Sequence, residues 1–405
     1  MSPIPRILFS LKMHLLACML LLTDLSFSAE ILFTAFGDYG RTGSTLDAVV
    51  STLNSQPKAR FSVLLGDLAY PDGFKHVGDE HFGIFESFAK SADAFYVVLG
   101  NHDYRGSIDA IKDYAAENSK FVFPTSKRTY HAKKLKLTKG YGLCMLFIDT
   151  MHLEPPHVEW MHEVLGQCGG KKYFRLIFGH YPIFSVGMYA DDASTKRTRS
   201  IMEPIMDKYG VHAYISGHEH HVEAFESKGR HYIISGAVAE LNRNGPIQED
   251  VHRDILKFAY RKGPAFANFR FIEDTGRLEY SFVDAADDGN VLYKASIKVG
   301  DAVYIGDEEA AEKPSVSPAK KKEPCVTSTD APAVGKDEKD KNVKGKPKPV
   351  KEKGLRTVCE DEPENDDDGW DELYPDDTPR NDISKSDDLV EMKLLVAVIA
   401  LCTVM

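Results

Sequence analysis

The 405-residue chain predicts an α/β fold built on mixed sheets. Three observations carry that reading. Short apolar runs with few charges recur, as buried strands do. Helix-like stretches follow several of them. Beyond about residue 265 the runs alternate apolar with polar residues, as antiparallel strands with one exposed face do.

The elements follow in order. Ile31–Phe36, Phe61–Leu65 and Tyr96–Leu99 read as buried strands, with Ser44–Asn54 as a helix after the first. Leu143–Ile148, Phe174–Phe178 and Ala213–Ile215 read as further strands, with Pro156–Gly166 and Arg199–Tyr209 as helices. Phe266–Ile272, Leu278–Val283 and Leu292–Ile297 are the alternating runs. An apolar content of 43% is that of a globular protein. The net charge of -11 argues against a nucleic-acid partner, whose binding surface would be basic.

Residues 30–306 thus read as the folded part, and the ends are of another kind. Residues 1–29 read as a signal peptide: Arg6 and Lys12 supply charge, His14–Leu22 is apolar, and Ser26, Ser28 and Ala29 suit cleavage. Residues 307–388 pass from a lysine-rich to an acid-rich stretch without apolar runs, which predicts a disordered charged stalk. Residues 389–405 include the apolar Leu394–Met405, shorter than the roughly 20 residues a bilayer requires. That tail resembles a GPI-anchor signal with Ser384–Lys385–Ser386 as the attachment region; a short tail anchor and a plain hydrophobic end are the alternatives. These ends predict the secretory pathway, with a destination at the cell surface, outside the cell or in a lysosome-like vacuole, and membrane attachment through the C-terminus. Cys144, Cys168, Cys325 and Cys359 lie outside the two apolar ends and allow three disulfide connectivities. There is no Cys-x-x-Cys pair and no N-glycosylation sequon.

Five segments carry the chemistry: Gly37–Asp38–Tyr39–Gly40, Gly66–Asp67–Leu68–Ala69–Tyr70, Gly100–Asn101–His102–Asp103, Gly179–His180–Tyr181–Pro182 and Gly217–His218–Glu219–His220–His221. Each follows an apolar run, where a strand ends and a loop begins. Functional groups of open α/β sheets gather beyond the carboxyl ends of strands. Carboxylates and a phenol suit a hard, highly charged ion, whereas imidazoles and an amide oxygen suit a borderline divalent one. Asp67 has two oxygens and could bridge a pair of ions. Two ions about 3.5–4 Å apart can hold a phosphate and a nucleophilic hydroxide together.

The set GDYG, GDLAY, GNHD, GHYP and GHEH resembles the calcineurin-like metallophosphoesterases. Tyr70, three residues after Asp67, narrows the resemblance to purple acid phosphatases, and the compact length to their tartrate-resistant branch. The resemblance covers roughly residues 30–300. It implies a four-layer sandwich of two mixed β-sheets flanked by helices. It also implies that Asp38, Tyr70 and His220 bind Fe(III), that Asn101, His180 and His218 bind a divalent metal (Fe(II), Zn(II) or Mn(II)), and that Asp67 bridges them. His102 would contact phosphate and protonate the leaving group, with Asp103 placed to orient its imidazole. The implied activity is acid phosphatase: hydrolysis of orthophosphoric monoesters by in-line attack of a metal-held hydroxide.

One departure stands out. The compact branch usually carries a second histidine nine residues after His180, where this chain has Tyr189. A phenol with an ordinary pKa near 10 is a poor proton shuttle in acid. His221 is extra to the motif and reads as a surface or supporting residue. Two other functions compete. One is a membrane-anchored scaffold on a phosphatase fold, which would have no need of seven filled ligand positions. The other is a phosphodiesterase or nucleotidase of the same superfamily, against which Tyr70 argues.

Overall fold

A computed structural model describes residues 30–136, 140–169, 173–241 and 251–302. The expected signal peptide, stalk and apolar tail lie outside the described residues, as do Cys325 and Cys359. No helix among the described residues is long and apolar enough to cross a membrane.

The first sheet is built from β1 (Glu30–Phe36), β2 (Phe61–Leu65), β3 (Phe95–Val98), β4 (Phe121–Val122), β12 (Ala265–Ile272), β13 (Arg277–Asp284) and β14 (Asn290–Lys298). Their order is β14-β13-β12-β1-β2-β3-β4. The run β1 to β4 is parallel, and the three late strands are antiparallel. The second sheet has the order β11-β9-β10-β8-β7-β6-β5. Its members are β5 (His131–Leu135), β6 (Gly142–Phe147), β7 (Tyr173–Phe178), β8 (Ala213–Ser216), β9 (Val222–Ser227), β10 (Arg230–Ser235) and β11 (Leu256–Tyr260). Here β6, β7, β8 and β10 are parallel. Both sheets are mixed, as the sequence predicts.

The pleat explains the layering. Successive side chains of a strand point to opposite faces. Phe33, Ala35, Val63 and Leu65 enter the core between the sheets, where they join Met145, Phe147, Leu176, Phe178 and Ile215. Phe36 and Leu64 face the other way, onto helices α1 (Ser44–Ser55), α2 (Phe82–Phe88) and α3 (Ile108–Glu117). Helices α4 (Pro155–Gln167) and α5 (Ala193–Tyr209) complete the flanking set. Cys144 of β6 is disulfide-bonded to Cys168 at the end of α4, which selects one pairing among those the sequence left open. Local signals end the helices: Ser107 caps α3 by accepting the Ala110 amide at 3.1 Å, and Gly210 stops α5 in the left-handed conformation.

Candidate metal centre

The parallel strands of both sheets end at one edge, and the five motif segments lie there. Asp38 follows β1, Asp67 follows β2, Asn101 follows β3, His180 follows β7 and His218 follows β8. Contacts across the two sheets close the site. The His218 amide donates to Asp38 Oδ2 at 2.9 Å, joining residues 180 apart in sequence. The Gly37 amide donates to the Ser235 carbonyl at 2.9 Å.

The side chains form two half-sites around Asp67. In one, the Tyr70 hydroxyl lies 3.1 Å from Asp38 Oδ1, 3.0 Å from Asp67 Oδ2 and 3.2 Å from His220 Nε2. In the other, His180 Nε2 lies 3.1 Å from Asn101 Oδ1 and 3.6 Å from Asp67 Oδ1. Asp67, His180 and His218 present donor atoms within 4.8 Å of one another. All seven side chains expected as metal ligands therefore belong to one cluster.

The backbone is strained to make this cluster. Asp38, Asp67 and His218 have φ of 60°, 53° and 69°, a region that side chains other than glycine enter at a cost of about 1–3 kcal/mol. They are three of the six such residues among those described. Close approach does the rest. A Cβ on Gly100 would stand 2.2 Å from Asp67 Oδ1, and one on Gly236 2.5 Å from Asp38 Oδ2. Gly236 belongs to none of the five motifs; only the packing identifies it.

The electrostatics call for a cation. Asp38 and Asp67 are buried together, and burial first, then the Asp67 charge, raises the Asp38 carboxyl well above the usual range. Burial likewise raises the Tyr70 phenol, helped by the charges of Asp38 and Asp67. The imidazoles are pushed toward neutrality: burial lowers His180 and His218 and takes His220 down to about 4. Neutral imidazoles beside acidic oxygens are a donor set for metal. His218 Nε2 is buried without a hydrogen-bond partner. A buried polar atom left unpaired costs about 1–3 kcal/mol, which a bound ion at the site would offset.

His102 stands at the rim. Its amide donates to Asp67 Oδ1 at 2.9 Å, and its Nδ1 lies 2.6 Å from the Pro71 carbonyl. This corrects the role expected for Asp103. The buried Asp103 carboxylate accepts the amides of Asp67, Leu68 and Gly100 at 3.0, 2.9 and 2.7 Å. Those three amides, not the His102 ring, are its hydrogen-bond partners, and the backbone carbonyl of Pro71 is what orients the His102 ring. Asp103 thus holds the loops of two motifs together.

Sequence reasoning passed over four other residues. Glu240 pairs with Arg41, lies 3.6 Å from His220 Nδ1, and brings the Arg41 guanidinium to 5.7 Å from the Tyr70 ring. Tyr181 packs edge-on against His218 at 4.7 Å, although it lies inside a motif. Glu219 and Glu223 are buried behind the site. His221, read as surface or supporting, is buried and bonded to Glu223. Tyr189 lies beside His218, with ring centroids 4.3 Å apart.

A model of the calcineurin-like phosphoesterase family matches residues 22–222. The chain is similar to tartrate-resistant acid phosphatase type 5 of Rattus norvegicus, 25% identical over 306 residues, covering 67% of this chain and 91% of that protein. It is also similar to purple acid phosphatase 7 of Arabidopsis thaliana, 22% identical over 294 residues, covering 65% and 85%. Among solved structures, GAP50, the anchor in the inner membrane complex of Plasmodium, has a TM-score of 0.52 at 18% identity, covering 67% and 89%; this likeness concerns the fold. With two mixed sheets, strand-end motifs and the match over residues 22–222, the chain carries a calcineurin-like phosphoesterase domain.

Proposed function

We propose that the protein is a phosphomonoester hydrolase of the purple acid phosphatase type, working with Fe(III) and a divalent metal. The observation that carries this reading is the single cluster around Asp67, with a phenol on one side and an amide oxygen on the other. Asp38, Tyr70 and His220 would hold the ferric ion, and Asn101, His180 and His218 the divalent one, with Asp67 shared. Bound metals supply charge neutralisation at the phosphoryl group and make water more acidic.

The chain's own residues supply the remainder. Pro71 O is an acceptor only, so it keeps a proton on His102 Nδ1. His102 Nε2 is then the atom that gains and loses a proton at the rim, 4.0 Å from Asp67 Oδ2. Protonated there, it would donate to the leaving oxygen of the ester. The Cys144–Cys168 disulfide suits an oxidising compartment, in keeping with the secretory route that residues 1–29 predict.

The test is the metal content and visible spectrum of the purified protein, with Tyr70→Phe beside it. Two metals per chain, one of them iron, and a visible band that Tyr70→Phe removes are expected. A colourless protein with full ferric occupancy would sink the phenolate assignment. No metal uptake at all would favour a scaffold, and faster turnover of diesters than of monoesters would favour a phosphodiesterase.

A further inference from the structure

Two of the three clustered histidines have a polar partner behind the ring. His180 Nδ1 lies 2.7 Å from the Leu65 carbonyl, and His220 Nδ1 lies 3.6 Å from Glu240. Such partners normally set the orientation of a metal-ligating imidazole. His218 is held differently. Tyr189 lies against its ring at 4.3 Å and 31°, Tyr181 meets it edge-on at 4.7 Å, and His180 closes a third side at 5.0 Å. Packing, not a hydrogen bond, restrains this ring.

Tyr189 is itself on a loop, and buried carboxylates hold that loop down. Glu219 Oε1 accepts the Ser185 hydroxyl at 2.8 Å and the Tyr189 amide at 2.8 Å. Glu223 accepts the Val186 amide at 3.2 Å and is bonded to His221. The His221 ring is thereby fixed between the two glutamates, with Nδ1 3.8 Å from Glu219 Oε2. Gly187 leaves room for the arrangement, since a Cβ there would stand 2.3 Å from Glu219 Oε2. The hydrogen bonds to Glu219 Oε1 and to Glu223 fix the loop, while Glu219 Oε2 and His221 Nδ1 are buried without a hydrogen-bond partner.

We infer that Glu219 is a positioning residue for His218, acting through the amide and ring of Tyr189. The inference rests on the metal-centre reading proposed above. Glu219 lies within the histidine motif, between His218 and His220, yet its carboxylate engages the 185–189 loop. Tyr189 then serves as a packing wall, and its hydroxyl is dispensable to that role.

Zinc(II) titration of the metal-stripped full-length protein by calorimetry tests this. Wild type is expected to take up two ions. Tyr189→Ala and Glu219→Ala should weaken one of the two sites about 10- to 100-fold, the range for lost supporting contacts. Gly187→Ala should do the same by crowding Glu219, with both residues left unsubstituted. Tyr189→Phe keeps the ring, and Glu219→Gln keeps an acceptor oxygen, so both should bind zinc as wild type does. Wild-type affinity at both sites in Tyr189→Ala would overturn the inference, as would equal losses in Tyr189→Ala and Tyr189→Phe. If Glu219→Ala fails to fold, the two Tyr189 variants still decide. Uptake of fewer than two ions by wild type would instead overturn the metal-centre reading itself.

Discussion

Asp103 accepts the backbone amide of Asp67 at 3.0 Å, so the residue expected to bridge two metals is itself held from behind by a buried carboxylate. The same carboxylate takes the amides of Leu68 and Gly100. Asp103→Ala would leave three buried N–H groups unpaired. At about 1–3 kcal/mol for each, the loss should be roughly 3–9 kcal/mol, measured by urea unfolding of the metal-free protein. Asp103→Asn keeps one acceptor oxygen and should lose less. A shift below about 1 kcal/mol for Asp103→Ala would contradict the anchoring role.

In the proposed mechanism His102 acts on the leaving group, not on the metals. His102→Ala should therefore lower turnover by about 10²- to 10⁴-fold with metal content near that of wild type. The loss should be smaller for esters of acidic phenols, whose leaving oxygens need little protonation. Equal losses across leaving groups would point to phosphate positioning instead.

Gly236 tests the packing account of the centre. A methyl there would meet Asp38 Oδ2 at 2.5 Å and the Glu219 carbonyl at 2.3 Å. Gly236→Ala should displace Asp38 and lower metal occupancy, read by elemental analysis, although Gly236 supplies no ligand. Full occupancy in a folded Gly236→Ala protein would show that the Asp38 carboxylate can move without harm.

His131 governs acid stability away from the site. It is buried, stacks on Phe147 at 4.7 Å, and neither ring nitrogen has a hydrogen-bond partner. Burial takes its pKa down to about 3. The folded state thus binds fewer protons than the unfolded state, whose histidine has a pKa of about 6.5. The contribution is fully present above that value and is lost progressively as pH falls toward the folded pKa. Each unit of depression is worth about 1.4 kcal/mol, so roughly 3 kcal/mol should disappear between pH 6.5 and 4. His131→Phe should flatten this part of the stability curve. An unchanged slope in chemical denaturation across that range would rule the effect out.

The sequence by itself determined the strands and which donor side chains stand at their ends. Ile31–Phe36, Phe61–Leu65 and Phe174–Phe178 were legible because a buried parallel strand is a continuous apolar run. The donors at Asp38, Asp67, Tyr70, Asn101, His180, His218 and His220 were legible because each sits in a glycine-marked turn directly after such a run. Tertiary structure decided the rest. Strands β9 and β10 hold Glu223, Glu226 and Arg230, so their polar sequences hid two buried strands; the short helix Phe82–Phe88 offered too few turns for a period. The partner of Asp103, the cradle at Gly236 and the contact of Tyr189 with His218 join residues from separate strands or loops. Which polar groups are buried, and whom they then must bond, depends on how the two sheets close on each other. That closure joins residues as far apart as Asp38 and His218, and no local pattern records it.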